Sequence, residues 1–303
     1  MIKKTLDYLK WVIILTAITS LTACHGNAEG ILNPKGIIAL HERKLFFDTL
    51  ALMLIVVLPV IVMSFTFAYH YQVSHRVRDY KPNWGHNHFL ESLWWGIPCV
   101  IIVILAVLTW KKTHELDPYR AIVGQTQTTL HIQAIALPWK WLFIYPEQNI
   151  ATVNYLEIPI GQSVEYSITA DNVAMSALFI PQLGSQIYAM TGMRTRLNLL
   201  ANTPGDYIGM NALFNGDGFS DMQFVVHAVT PDVMQNWIHQ MQKSPQHLTN
   251  DLYEKLLVPS EKDAPMFFSH VTPHLFETIL QVYMASTGPE HPRAKFQAKL
   301  TKE

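Results

Sequence analysis

Apolar residues crowd the chain ahead of Trp110 and thin out after it. Thr49 to Tyr69 and Leu93 to Trp110 each run without Asp, Glu, Lys or Arg. At 1.5 Å of rise per residue they reach roughly 31 and 27 Å as helices, near the ~30 Å of a bilayer's hydrocarbon core. They therefore predict a hairpin of two transmembrane helices over 49–110, with spans at 49–69 and 93–110. Pro59 and Pro98 do not oppose this, because neighbouring helices in a membrane satisfy the carbonyls that a proline frees. Trp94, Trp95 and Trp110 sit near the ends of the second span, where aromatic rings anchor at the interface. From about Gln127 to Val229 the period becomes two. Leu130, Ile132, Ala134 and Ala136 alternate with polar positions, Val164, Tyr166 and Ile168 do likewise, and Met193, Thr195, Leu197 and Leu199 oppose Arg194, Arg196 and Asn198. Each run reads as one strand with a wet face. Turn signals at 146–149, 159–161, 204–206 and 215–218 separate the short strands of a β-sandwich. After Val229 the period shifts to 3.6. Met234, Trp237, Ile238 and Met241 line one helix face behind Thr230-Pro231, and Leu275, Ile279, Leu280 and Tyr283 line another behind Thr272-Pro273.

The amino terminus has the order of a processing signal. Lys3, Lys4 and Lys10 precede or open a short apolar run from Trp11 to Ile18, and Leu21-Thr22-Ala23-Cys24 follows at once. This predicts a lipoprotein signal peptide over 1–23, ending in a bacterial lipobox whose Cys24 becomes a lipidated amino terminus. Lys and Arg flank the spans evenly, so the positive-inside rule assigns no orientation. Export of Cys24 assigns one. Residues 24–48 form an outer segment, the first span runs inward, Tyr71 to Ser92 is cytoplasmic, and everything after Trp110 faces the periplasm. That outer part divides into a sandwich over 111–229 and a helical, aromatic-rich extension with its tail over 230–303.

Composition narrows the chemistry. Charged residues are 15% of the chain where a soluble domain carries about 25%, in keeping with a membrane protein. Lys and Arg number 22 against 23 Asp and Glu, leaving no basic footprint for nucleic acid. Two cysteines, Cys24 and Cys99, make no disulfide framework. The sandwich has no cysteine, and between Ala121 and Val229 its histidines are His131 and His227 alone, too few donors for a transition metal. Ser163, Ser167, Ser176, Ser185 and Ser220 lack a nucleophile elbow. Gly216-Asp217-Gly218 lacks the Lys-Ser or Lys-Thr of a phosphate loop and reads as a turn. No catalytic residue and no metal site is expected in this chain.

Lys111-Lys112-Thr113-His114, the run from Pro138 to Gln148, the run from Phe179 to Tyr188, Gly192-Met193 and Arg196-Leu197, following the lipobox and two spans, resemble subunit II of cytochrome bo-type ubiquinol oxidases. The resemblance extends from Leu21 to about Met284. It implies a membrane α-helical hairpin followed by an all-β, cupredoxin-like sandwich with a C-terminal helical extension. It also implies a place in a proton-pumping complex that oxidises ubiquinol and reduces dioxygen to water. Haem and copper would reside in the partner subunit I. Subunit I, further membrane subunits and membrane lipid are the implied partners, and cytochrome c is not one.

The wider family includes cytochrome c oxidase subunit II, which holds a dinuclear copper centre. Matched to that site, Ser176 stands for the upstream histidine, Asn211 and Asn215 for the bridging cysteines, and Leu213 for the glutamate that ligates through its carbonyl. Phe219 stands for the second histidine, and only the methionine survives, as Met222. One thioether cannot hold two copper ions. Trp139 matches the tryptophan beneath the copper. With the metal ligands gone, Trp139, Trp141, Phe143 and Tyr145 read as an aromatic belt that packs the sandwich onto membrane subunits. Glu91, at the inner start of the second span, matches a glutamate at the mouth of a proton pathway and is expected to take up protons. By position alone it equally suits the helix dipole. His86 and His88 read as loop residues. Phe267, Phe268, Pro273, Leu275 and Phe276 resemble the family's aromatic-rich segment, which either meets a partner or packs on the sandwich. Two other readings stand beside the oxidase: a free-standing periplasm-facing lipoprotein scaffold, and a copper-containing electron-transfer subunit, which the missing thiolates oppose.

Overall fold

The computed structural model describes residues 30–71, 85–122, 128–173 and 175–284. Cys24, the signal sequence and the tail after Met284 lie outside them. The chain forms two compact units, one of residues 41–121 and the other of the residues before and after that stretch.

The first unit is helical. Helix α1 spans Ile37–His70, its opening turn belonging to the other unit, and α2 spans His88–Glu115. Both are long and apolar enough to cross a membrane, and neither buries its apolar window within the chain. Each overshoots its predicted span, because hydropathy marks only what lipid would cover while backbone hydrogen bonding continues into the charged flanks. Asn87 caps α2, its Oδ1 accepting from the N–H groups of Phe89 and Leu90 at 3.0 and 3.1 Å.

The second unit is a sandwich of two sheets. One has the order β11-β3-β2-β1-β5-β8 and the other β4-β10-β9-β6-β7. The first comprises β1 (Leu130–Leu137), β2 (Lys140–Tyr145), β3 (Ile150–Val153), β5 (Val164–Ala170), β8 (Thr195–Leu199) and β11 (Met266–Phe268). The second comprises β4 (Tyr155–Pro159), β6 (Ser176–Phe179), β7 (Ile187–Ala189), β9 (Gly205–Asn211) and β10 (Gln223–Val229). Pairing is antiparallel except for β1 with β5 and β4 with β10. The chain changes sheets at Asn154, whose φ is +52°. Its N–H donates to the Trp141 carbonyl and its Oδ1 accepts from the Trp141 N–H, both at 2.9 Å.

Helices α3 (Pro231–Met241), α4 (Asn250–Leu256) and α5 (Leu275–Met284) follow the sandwich. The first and last present the apolar faces expected of them: Met234, Trp237 and Ile238 join the inter-sheet core, and Leu275, Ile279 and Leu280 are buried. Strand β11 and helix α4 carry no clear period in the sequence. β11 pairs with β3, Phe268 opposite Ala151, so the extension enters the sandwich's own sheet.

This corrects the expectation of one wet face per strand. β5 keeps the alternation over its first residues, but β2 and β3 are buried throughout, and so is β1 from Ala134 onward. Trp141, Phe143 and Tyr145 point into the core between the sheets, while Leu142 and Ile144 point the other way, into a second core with Tyr253, Leu256, Phe268, Phe276 and Leu280. The extension covers what would otherwise be the solvent face. Met193 also departs from the expected pattern: it precedes β8 and is exposed.

Candidate functional site

Among the described residues no group of three or more His, Cys, Asp or Glu side chains is placed to hold a metal. The two sandwich histidines are separate surface groups, each opposite a carboxylate on the neighbouring strand. His131 lies 3.9 Å from Glu165, and His227 Nδ1 lies 2.6 Å from Asp206.

The positions matched to the dinuclear copper ligands do come together. Ser176 opens β6, Asn211 ends β9, and Met222 follows the 3-10 helix Asp217–Asp221. Ser176, Asn211 and Met222 are buried. Asn211 Oδ1 accepts from the N–H groups of Ala177 and Leu213 at 2.8 and 3.2 Å, and Asn211 Nδ2 donates to the Leu213 carbonyl at 2.7 Å. Asn215 Nδ2 donates to Ser176 Oγ at 3.1 Å and lies 3.3 Å from Met222 Sδ. Phe219 is turned to Phe214, ring centroids 5.6 Å apart. The carbonyl, amide and thioether groups that face one another here are thus engaged in protein hydrogen bonds. Asn215 Oδ1, buried without a partner, offers one hard oxygen. Copper sites of this class need soft thiolate and imidazole donors, and a dinuclear copper centre does not fit these residues.

Trp139 closes this loop from one side. It occupies the two-residue turn between β1 and β2, at φ +60°, a conformation that costs a bulky residue roughly 1–2 kcal/mol. Its Nε1 donates to the Asn215 carbonyl at 3.3 Å. A Cβ on Gly218 would lie 2.4 Å from the ring, so glycine is what allows the indole to lie on the loop. Trp139 is partly exposed, but Trp141, Phe143 and Tyr145 are wholly buried. The expected aromatic belt is therefore not a surface strip. β2 has a packed layer on each side, and its alternate residues became core.

Glu91 lies in the first turn of α2, and its carboxylate is half exposed, 3.8 Å from His88 Nδ1. His88 is the first residue of the helix and not a loop residue, because Asn87 supplies the cap one position earlier. His86 precedes the helix and is exposed.

Two buried polar anchors were missed by sequence reasoning. Lys140 is 2% exposed, and its Nζ donates to Asp263 Oδ2 at 2.8 Å, to the Val258 carbonyl at 3.2 Å and to Ser260 Oγ. Asp171 is 1% exposed and accepts from the hydroxyls of Tyr253 and Tyr283 at 2.5 and 2.8 Å. A lone charge inside the apolar run Trp139 to Tyr145 was the available signal for the first. At the edge of the other sheet Tyr155 donates to Glu157 Oε2 at 2.7 Å. Burial pushes the Glu157 carboxyl above its ordinary range, against the opposing pull of that hydrogen bond and of His227.

The family described as the COX Aromatic Rich Motif matches residues 242–286. A cytochrome bo(3) ubiquinol oxidase subunit 2 of Pseudomonas aeruginosa is 43% identical over 97% of this chain and 88% of its own length. A ubiquinol oxidase subunit 2 of Acetobacter aceti is 43% identical over 89% of this chain and 87% of its own. Among solved structures, the periplasmic domain of subunit II of a Bradyrhizobium japonicum cytochrome oxidase is 18% identical and covers 40% of this chain and 96% of its own, at a TM-score of 0.37. The sandwich described above rests on its own strand pairings and not on that overlap.

Proposed function

The chain belongs to the ubiquinol oxidase subunit 2 family, and from that premise we propose that it is the second subunit of a proton-pumping complex that oxidises ubiquinol and reduces dioxygen to water. The observation that carries this is 43% identity to a ubiquinol oxidase subunit over 97% of the chain. In this reading haem and copper are held by subunit I, and electrons arrive from a quinol in the membrane. The sandwich relays none. The hydrogen-bonded set of Ser176, Asn211, Asn215 and Met222 supports the copper-free role, because its amides do the work of holding the loop that metal ligation would otherwise do.

Glu91 is the residue we assign to proton uptake, at the cytoplasmic end of α2. Its half-exposed carboxylate beside His88 is open to water on one side and begins a membrane-crossing helix on the other. Cys24 carries the lipid anchor after removal of 1–23, the hairpin anchors the chain again, and 111–303 stands in the periplasm. The other contributions are assembly with subunit I and further membrane subunits, and a periplasmic cap.

Affinity purification of the tagged chain from membranes in mild detergent tests this. Haem-bearing partners, ubiquinol-dependent oxygen uptake and a lipid-modified Cys24 terminus by mass spectrometry are the expected results. A chain recovered without haem partners would favour the free-standing lipoprotein, and an unmodified terminus would remove the anchor.

A further inference from the structure

The Lys140 ammonium finds its acceptors in one short stretch of the aromatic-rich segment. Val258, Ser260 and Asp263 supply its acceptors, and Ser260 Oγ in turn donates to Asp263 Oδ2 at 2.5 Å. The same stretch reaches two other loops. The Asp263 carbonyl accepts from Asn154 Nδ2 at 3.2 Å, and Lys262, itself at φ +57°, lies 3.9 Å from Asp221 of the 3-10 helix. Asn154 already grips Trp141 through two backbone-directed hydrogen bonds. Residues 140 and 141, the two that follow Trp139, are thus both fastened, one by the segment directly and one through Asn154.

Trp139 needs such fastening. A left-handed tryptophan persists only where its surroundings over-determine it, and its own side chain offers one 3.3 Å hydrogen bond and the face it lays on Gly218. A buried lysine is likewise tolerated only when paired and fully hydrogen-bonded. We infer that Lys140 is a positioning residue: by seating its ammonium among residues 258–263 it clamps the aromatic-rich segment onto the β1–β2 turn, and so holds Trp139 over the Asn215–Gly218 loop. The segment is then a brace for three loops at one end of the sandwich, in addition to a cover for its outer face. This inference stands apart from the oxidase reading, since it concerns contacts within one compact unit.

Hydrogen exchange on the purified complex tests it. Asp263→Leu leaves the Lys140 ammonium buried without its carboxylate, and exchange should rise roughly tenfold or more in the segment 257–265, in the turn 138–141 and in the loop 215–221, with β5 and β8 unchanged. Adding Lys140→Met to make the double variant removes the stranded charge but also the clamp, so protection of the turn and loop should stay below the wild-type level, at that of Lys140→Met alone. A rise confined to 257–265, or a double variant whose turn and loop are as well protected as in wild type, would overturn the clamp. If Asp263→Leu does not assemble, Lys140→Met alone is compared with the double variant. Equal protection of turn and loop in those two is expected, and a further loss on removing Asp263 would contradict a role through Lys140.

Discussion

Asn211 serves three backbone partners with one amide, at 2.7, 2.8 and 3.2 Å, and so ties β6 to the loop after β9. Glu91 has a carboxylate in water and a place in a first turn, where a negative charge contributes only about 0.3–1 kcal/mol to the helix. A proton role makes a much larger demand. Glu91→Gln keeps the size and loses the titration, so oxygen uptake in an assembled complex should fall roughly tenfold or more, and unchanged uptake would leave the dipole as its whole purpose. Glu157 offers a pH test. Its carboxyl titrates above the ordinary 4.5 because burial disfavours the charge. Its folded state therefore binds a proton that the unfolded chain has released, and the stability this contributes is full below that ordinary value and lost as pH rises through the folded one. Glu157→Gln should melt higher than wild type at pH 8 and with little difference at pH 4. A thermal shift that does not vary with pH would contradict the burial account. The set matched to the copper positions was named residue by residue from the family resemblance. The hydrogen bonds that now join it were not, since a sequence does not tell which amide faces which carbonyl.

At the scale of elements, the two apolar spans and the alternating strands announced themselves because each has a single environment on each side. β2 did not. Its run from Lys140 to Tyr145 is continuously non-alternating in polarity, which is how a strand buried on both faces reads, and the second layer over it comes from residues more than a hundred positions later. The surface-belt expectation for Trp141, Phe143 and Tyr145 failed for that reason. Strand β11 and helix α4 escaped notice because three-residue and seven-residue elements are too short to show a period, and they form by packing and pairing on an existing sheet. Phe276 measures what that packing contributes. It is 2% exposed, with the Arg194 guanidinium 5.3 Å over its ring and Arg194 paired to the adjacent Glu277. Phe276→Ala should destabilise the covering layer by about 3–5 kcal/mol, seen as proteolytic cleavage within 242–286 at a protease level that leaves wild type intact. Resistance equal to wild type would mean that the layer is held mainly elsewhere, by Lys140 and Asp171.

For the whole molecule, the positions that the family resemblance matches to metal ligands include Ser176, Asn211, Asn215 and Met222, which are hydrogen-bonded to one another. The relatives at 43% identity are named for ubiquinol, and the two facts point the same way: a membrane-borne reductant makes an outer copper centre unnecessary. In the proposed function the sandwich, its aromatic-rich cover and the hairpin serve attachment and proton supply to a reaction centred in another subunit. Oxygen uptake by the purified complex, driven in turn by ubiquinol and by reduced cytochrome c, tests this most directly. The account predicts sustained uptake with ubiquinol and none above background with cytochrome c, and uptake driven by cytochrome c at a comparable rate would contradict it.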